Sequence, residues 1–157
     1  MPTDLDAHDR SILAELQEDS RVPVSALAEA SGLSTASVQR RVKRMRETGV
    51  ILGEVAVLDR KALGYAMTFI VQIELEREKI SHVREFRTRL EREARVQQIY
   101  YVTGEADFML VCLARDMEDF EELTQRLFFD NANVRKFRTS VVMGRSKTGL
   151  SVPLDDC

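Results

Sequence analysis

A short helix, a glycine and a capped basic helix follow one another before residue 50, and this succession constrains the fold more than any other feature. The short helix is predicted to begin after Pro23, with Ser25 as its cap, and to stop at Gly32. The next helix is predicted to begin at the cap Ser34 and to end at Gly49. In helix-turn-helix proteins the second helix of such a pair enters the major groove of DNA.

That second helix carries a basic stripe opposite an apolar one. Val38, Val42 and Met45 share one face and are predicted to be buried, which turns the polar and basic residues outward. Hydroxyl, amide and guanidinium groups can bond base edges, and cations can neutralise phosphates. The predicted DNA-contacting residues are Ser34, Thr35, Ser37, Gln39, Arg40, Arg41, Lys43 and Arg44.

Within this set the N-terminal residues of the helix are expected to approach the bases. The residues assigned to base or near-backbone contacts are Ser34, Thr35, Ser37 and Arg40. The residues assigned mainly to phosphate contacts or to structural pairing are Arg41, Lys43, Arg44 and Arg46. An isolated basic run is more often only a solvated helix face. The preceding short helix and glycine turn favour DNA binding instead.

The flanking segments complete a small domain. A first helix is predicted over residues 5–18, capped by Asp4 and Asp6, with Leu5, Ile12, Leu13 and Leu16 on one face. The apolar segment 50–57 resembles a wing or linker strand.

After residue 65 apolar and polar residues alternate, a period typical of half-buried strands. Strands are predicted over 67–75, 96–102, 108–114 and 134–143, and helices from Ile80 to Leu90 and over 116–129. The inward residues predicted for these helices are Ile80, Val83, Phe86, Leu90, Met117, Phe120, Leu123 and Leu127. This order gives a four-stranded antiparallel sheet with two helices on one face, the ferredoxin-like arrangement.

The other face of this sheet is expected to pack against a second copy of the chain, because strand residues on both sides of the sheet are rather apolar. The apolar strand residues behind this expectation are Ile70, Ile99, Tyr101, Val111 and Val142.

The predicted fold class is therefore α+β. A winged helix-turn-helix domain (1–50) is followed by a linker or wing strand (51–65) and a ferredoxin-like βαββαβ domain (66–145) for ligand sensing and oligomerisation. Residues 146–157 form a polar C-terminal tail to which the sequence assigns no function.

Composition excludes several classes of protein. No stretch approaches the length of a membrane span and the first residues lack a secretory signal pattern, so a cytoplasmic protein without membrane partners is expected. Cys112 and Cys157 suggest neither a disulfide framework nor a metal site. The net charge of −3 argues against indiscriminate coating of nucleic acid, so the local basic stripe becomes the informative feature.

Several segments, taken in order, resemble the Lrp/AsnC family of feast-or-famine transcription regulators. They are Leu5-Asp6-Ala7-His8-Asp9-Arg10-Ser11-Ile12-Leu13, the segment from Leu27-Ala28 through Gly32-Leu33-Ser34 to Arg41-Val42-Lys43-Arg44-Met45, Gly49-Val50-Ile51, Val102-Thr103-Gly104-Glu105-Ala106-Asp107-Phe108 and Thr139-Ser140-Val141-Val142-Met143. The resemblance extends from residue 4 to about residue 150.

The resemblance implies a homodimer built through the ferredoxin-like domains, often assembled into tetramers or octamers. It also implies that an amino acid or related metabolite binds between subunits, with no other cofactor. The effector-binding residues implied by position are Tyr100, Val102, Thr103, Gly104, Glu105, Ala106, Asp107, Thr139 and Ser140. The family loop usually has aspartate where this chain has Glu105.

Two other functions remain as alternatives. An architectural DNA-binding protein that uses no effector would differ only in leaving the loop around Gly104 without a ligand. An enzyme is not expected, because the candidate side chains do not converge and no phosphate loop or nucleophile elbow is present. The candidates considered for catalysis are His8, His82, Cys112, Tyr100, Tyr101, Glu105 and Asp107.

Overall fold

The computed structural model describes residues 4–77 and 79–154. The chain divides into two compact units. The described residues up to Val57 and from Thr148 onward form the first, and Leu58–Lys147 form the second. Cys157, for which the sequence suggests neither a disulfide nor a metal site, lies outside the described residues.

Three helices build the first unit: α1 (Ala7–Glu18), α2 (Val24–Ser31) and α3 (Thr35–Glu47). Their facing sides enclose a small apolar core. The fully buried side chains of this core are Ile12, Val38 and Met45, with Leu13, Leu27 and Val42 beside them. Helix α1 begins at Ala7 rather than at residue 5, because Asp6 and Asp9 form a reciprocal capping box there.

Two local predictions in this unit are wrong. Ser25 is not a cap: α2 begins directly after Pro23, whose fixed φ of −59° already suits a helix start. No strand forms over 50–57 in the described chain, where Leu52 and Val57 are 94% and 95% exposed. A strand needs a hydrogen-bonded neighbour, and the described chain provides none for this segment.

The tail packs on the first unit rather than standing free. The side-chain amide of Gln17 in α1 donates to the carbonyl of Val152 at 3.1 Å and accepts from its N–H at 2.6 Å. Leu154 contacts the apolar core of the three helices. The polar composition of the tail gave no indication of this contact. The tail contributes to it the backbone of Val152 and the side chain of Leu154.

The second unit contains the predicted sheet: β1 (Met67–Leu75), β2 (Val96–Tyr101), β3 (Phe108–Ala114) and β4 (Val134–Val141), in the antiparallel order β2-β3-β1-β4. Helices α4 (Ile80–Glu91) and α5 (Met117–Thr124) complete the unit. The ferredoxin-like arrangement predicted from the order of elements is confirmed.

The core of the second unit lies between the sheet and the helices. Alternate residues of β1 (Phe69, Val71, Ile73) and of β3 (Phe108, Leu110) are fully buried there. Phe69 stacks on Phe120 of α5 with ring centroids 3.7 Å apart. The opposite face, where Ile70 pairs with Val111 and Ser140, has no helix from this chain against it among the described residues.

The second helix of this unit differs from its prediction. The α-helix ends at Thr124 and continues as one π turn, Gln125–Phe129. Leu127 and Phe128 are both buried in this turn. Met117 is 48% exposed at the start of α5 and Ile80 is 79% exposed at the start of α4, so both were wrongly predicted to face inward.

Strand ends also shift slightly. β2 ends at Tyr101 and β4 at Val141, before the predicted ends at residues 102 and 143.

Candidate nucleic-acid interface and ligand loop

The turn that leads into α3 is closed by a glycine and a serine cap. Gly32 has φ +67°, in the left-handed region that favours glycine, and it ends α2. The hydroxyl of Ser34 accepts a hydrogen bond from the N–H of Ser37 at 3.3 Å, which caps α3. Ser34 therefore has a structural role in addition to any contact with DNA.

One side of α3 is open to solvent. Val38, Val42 and Met45 face the core, and the exposed residues on the other side are Thr35, Ala36, Gln39, Arg40 and Lys43. Lys43 lies 3.8 Å from Glu47, whereas Arg40 forms no ion pair with any residue that the structure describes. The stripe from Thr35 to Lys43 thus presents hydroxyl, amide and cationic groups on a single helix face. We call it the α3 stripe.

Two arginines of α3 point away from this stripe, toward α1. Arg41 donates to Asp6 at 2.8 Å and to Asp9 at 2.9 Å, and Arg44 donates to Asp9 at 2.5 Å. The side chain of Asp9 is only 1% exposed. A buried carboxylate is stable only when cations and hydrogen bonds compensate it. Arg41 and Arg44 were assigned either to phosphate contacts or to structural pairing, and the structure shows the structural pairing. Their contact with phosphates stays a prediction.

The pairing also fixes the charge state of the exposed partner. The pKa of Asp6 is lowered, first by the N–H of Asp9 and then by the guanidinium of Arg41, and the pKa of Arg41 is raised by both carboxylates. A lowered carboxyl pKa stabilises the fold above the pKa of the unfolded chain. The contribution is therefore present at neutral pH and is lost as the pH falls through the lowered value.

Helix α1 also holds the end of α2. The Nδ1–H of His8 donates to the carbonyl of Ser31 at 2.8 Å, and the hydroxyl of Ser11 donates to the carbonyl of Ala30 at 3.1 Å. Both carbonyls lie in the last turn of α2, which lacks partners within its own helix. Sequence reasoning missed this pair, although the spacing of three residues in α1 places both side chains on one face.

The loop between β2 and β3 is held at one acid. The N–H of Asp107 donates to the carbonyl of Ile73 at 2.8 Å, and its carbonyl accepts from the N–H of Val102 at 2.9 Å. One carboxylate oxygen accepts from the N–H of Leu75 at 2.7 Å, at the irregularity near the end of β1. Asp107 thus joins the loop to β1, a structural contact that its sequence position did not indicate.

The middle of the loop is open. Thr103, Gly104 and Glu105 are exposed, and Gly104 has φ +121°, a backbone conformation that side-chain-bearing residues rarely adopt. The side chain of Glu105 is 89% exposed and lies 3.4 Å from the guanidinium of Arg138 in β4. We call residues 103–107 the ligand loop.

Not all residues predicted around the ligand loop meet within one chain. Tyr100 and Val102 lead into it, and the Tyr100 hydroxyl donates to Gln98 at 3.0 Å. Ser140 pairs with Ile70, on the open face of the sheet, whereas Thr139 pairs with Val71, on the helix-covered face. No hydrogen bond of the described chain links either residue to the loop, so their share in a common site stays a prediction.

The residues considered for catalysis are dispersed. His8 bonds Ser31, and Cys112 lies buried in β3 beneath the helices, where burial raises the pKa of its thiol to about 12. A thiol with so high a pKa is a poor nucleophile at neutral pH. Over residues 4–77 and 79–154 no cluster of His, Cys, Asp and Glu could hold a metal ion. None of the described helices is long and apolar enough to cross a membrane.

Comparison with known proteins places both units in one family. A family model of the AsnC-type helix-turn-helix domain matches residues 5–46, and one of the Lrp/AsnC ligand binding domain matches residues 68–152. The chain belongs to the Lrp/AsnC family. It is a DNA-binding transcription regulator of that type, as the resemblance in its sequence implies.

The relatives of this Lrp/AsnC protein match along nearly the whole chain. An HTH-type transcriptional regulator of Sinorhizobium fredii is 41% identical over 152 residues, 97% of this chain and 90% of that protein. The crystal structure of an AsnC family regulator from Agrobacterium tumefaciens is similar with TM-score 0.89 and 30% identity, covering 96% of this chain and 97% of that one. A feast or famine regulatory protein of Mycobacterium tuberculosis, complexed with L-methionine, is similar with TM-score 0.85 and 31% identity, covering 95% and 99%.

The Asp9 contacts predict a large loss of stability in Asp9→Asn. This change removes the negative charge that faces Arg41 and Arg44. We expect the free energy of unfolding of the first unit to fall by about 2–3 kcal/mol, less than for a fully buried pair because Arg44 is half exposed. Denaturant unfolding measures this change.

Asp19→Asn is the matched control, since Asp19 pairs with Arg21 at 3.1 Å on the surface of the same unit. Exposed pairs contribute little, so a loss below about 1 kcal/mol is expected. Equal losses in the two variants would contradict the role assigned to Asp9.

Proposed function

We propose that this regulator binds specific double-stranded DNA sequences through the α3 stripe, and that an amino acid or related metabolite at the ligand loop modulates its assembly or DNA binding. The observation that supports this proposal is that the side chains of α3 fall into two sets, one paired with α1 and one exposed to solvent. Arg41 and Arg44 hold the helix against Asp9, whereas Thr35, Gln39 and Arg40 stay exposed on the other side. A fixed helix with free polar groups is what base recognition requires.

The stripe offers chemistry for both bases and phosphates. An arginine can make two hydrogen bonds to a guanine edge, and a glutamine can do the same with adenine. Arg40 and Gln39 are the candidates for these contacts, with Thr35 one turn earlier. Lys43 and the exposed start of α3 are suited to phosphates, since a helix N-terminus carries free N–H groups and partial positive charge.

In a symmetric dimer the second protomer would supply a second α3 helix for DNA binding. The open face of the sheet carries an apolar pair at its centre, Ile70 and Val111, and the next row contains Gln72, Met109 and Tyr100. Packing two such faces together buries these side chains and gives a two-fold axis. Two α3 helices about 34–36 Å apart would then recognise a pseudo-palindromic site.

The ligand loop has groups that suit a zwitterion. Glu105 offers an exposed carboxylate for an ammonium group, and the backbone N–H groups around Gly104 can bond a carboxylate. The complex of the related Mycobacterium tuberculosis protein with L-methionine supports an amino acid as the ligand class. Glu105 stands where the family usually has aspartate, and its carboxylate lies 3.4 Å from Arg138. We therefore expect this chain to prefer a different ligand from relatives that have aspartate here.

The DNA-binding part predicts that Arg40→Ala weakens specific binding by about tenfold or more, because one good arginine–base contact is worth roughly 1–3 kcal/mol of discrimination. Preference at particular bases should relax, while the thermal stability stays unchanged since Arg40 is exposed. Titration of labelled duplex DNA at fixed salt measures both effects.

Arg21→Ala, an exposed arginine outside α3, serves as the control for charge removal and should change the affinity by less than about twofold. Arg44→Ala should weaken all sequences alike and reduce the salt slope by about one if Arg44 also reaches a phosphate. If wild type and the Arg40 variant bind equally well, the assignment of α3 fails.

The sensing part predicts a selective thermal shift with an amino acid. Melting the purified protein against each of the twenty amino acids should show it, because a ligand at a hundred times its dissociation constant adds about 2.7 kcal/mol to the folded state. Glu105→Gln should reduce this shift and leave effector-free DNA affinity unchanged, since Glu105 is exposed.

Asp107→Ala is expected to abolish the response as well, but it also removes the acceptor of the Leu75 N–H and should lower stability. An undiminished shift in Glu105→Gln would contradict the role of that side chain.

An effector-independent architectural protein is the second candidate. The observation that favours it is Asp107, whose backbone and side chain are already bonded to β1 and β2. Such a protein would bind DNA through α3 and show no thermal shift with any amino acid.

A further inference from the structure

The helix-covered side of the second unit carries a basic groove that the roles described above do not use. It lies between α4 and the π turn and has a volume of about 650 Å³. Arg84, Arg89, Arg92 and Arg126 line it, together with the hydroxyls of Ser81 and Thr88. Grooves of this size commonly hold small molecules.

The carboxylates near this groove leave much of its positive charge uncompensated. Glu93 is buried and accepts from Arg95 at 3.2 Å and from Arg126, so its charge is already neutralised. Glu85 and Arg89 also line the neighbouring groove, which makes them the ridge between the two. Arg84 and Arg92 are exposed and form no ion pair with the residues that the structure describes.

These two free arginines are aligned. Arg84 and Thr88 of α4 and its C-cap residue Arg92 follow one another at four-residue steps, so they lie on one side of the helix. The axial distance from Arg84 to Arg92 is about 12 Å at the rise of an α-helix. Two guanidiniums with a hydroxyl between them can therefore contact one ligand of several heavy atoms.

The opposite wall comes from the irregular end of α5. The π turn keeps Leu127 and Phe128 buried while Arg126 stays exposed beside the groove. Single π turns in helices occur frequently at functional sites. Arg89 donates to the carbonyl of Arg126, which ties this wall to α4.

We propose that this groove binds a small metabolite that carries a phosphate or diphosphate group, held by Arg84 and Arg92 on one wall, while Arg126, which is paired with Glu93, forms the opposite wall. One guanidinium group can donate two parallel hydrogen bonds to the oxygens of a phosphate, and the hydroxyls of Ser81 and Thr88 can donate to the same phosphate. The groove is concave and bounded by two elements, which suits a small ligand better than the backbone of a duplex.

Inorganic diphosphate is the probe for this site. Isothermal titration of the full chain at low salt should show binding, and the double variant Arg84→Gln/Arg92→Gln should bind about tenfold more weakly or worse. Both residues are exposed, so the variant is expected to fold normally. Its circular dichroism and melting temperature verify this.

Arg87→Gln is the matched control on the same helix. Arg87 is exposed, lies 3.5 Å from Glu91 and does not line the groove. It removes one positive charge without touching the site, so diphosphate affinity should change by less than about twofold. Glu105→Gln should likewise leave diphosphate binding intact, which separates this groove from the ligand loop.

Three results would overturn the proposal. The first is the absence of diphosphate binding by the wild-type chain. The second is an equal loss in Arg87→Gln, which would show only general charge attraction. The third is a double variant that loses affinity and salt dependence for DNA while diphosphate binding stays unchanged, which would make the groove a DNA-backbone contact.

Discussion

The buried carboxylate of Asp9 determines how the DNA-facing helix is presented. It caps α1 together with Asp6 and accepts hydrogen bonds from Arg41 and Arg44 of α3. Leaving such a carboxylate without cations would cost several kcal/mol, so α1 and α3 are held in one relative position. The same pairing turns the remaining polar side chains of α3 outward. The basic residues of α3 thus have two roles. Arg41 and Arg44 hold the helix against α1, and Arg40 on the other face stays free to contact DNA.

Acids also anchor elements of the second unit, where Asp119 is buried and Asp107 is partly buried. Asp119 in α5 accepts from Arg95 at 2.7 Å and from Arg115 at 3.0 Å, and Asp107 fastens the ligand loop to β1 through the Leu75 N–H. Fixed anchors of this kind leave the exposed groups between them, such as Glu105, in a defined place. The ligand loop and the basic groove then lie in one unit but differ in chemistry: the loop suits a zwitterion and the groove suits an anion.

The order and type of the helices and strands could be predicted from the sequence, because apolar periods of 3.6 and 2 follow directly from burial. The prediction of a strand at 50–57 was wrong although its apolar residues are typical of one. The sequence does not show that the described chain offers this segment no neighbouring strand. The π turn was missed because Leu127 and Phe128 both fit the apolar period of an ordinary α-helix. The pairing of Arg41 with Asp9 depends on residues far apart in the chain, and no local pattern shows it.

Selection of bound duplexes from a random DNA library, with the full chain at fixed salt, measures whether α3 recognises a specific sequence. The account predicts enrichment of a pseudo-palindromic motif whose half-sites lie one helical turn apart, with an information-rich position that is lost when Arg40 is replaced. Retention of DNA without any enriched motif, or a motif unaffected by replacing Arg40, would contradict recognition through the exposed side of α3.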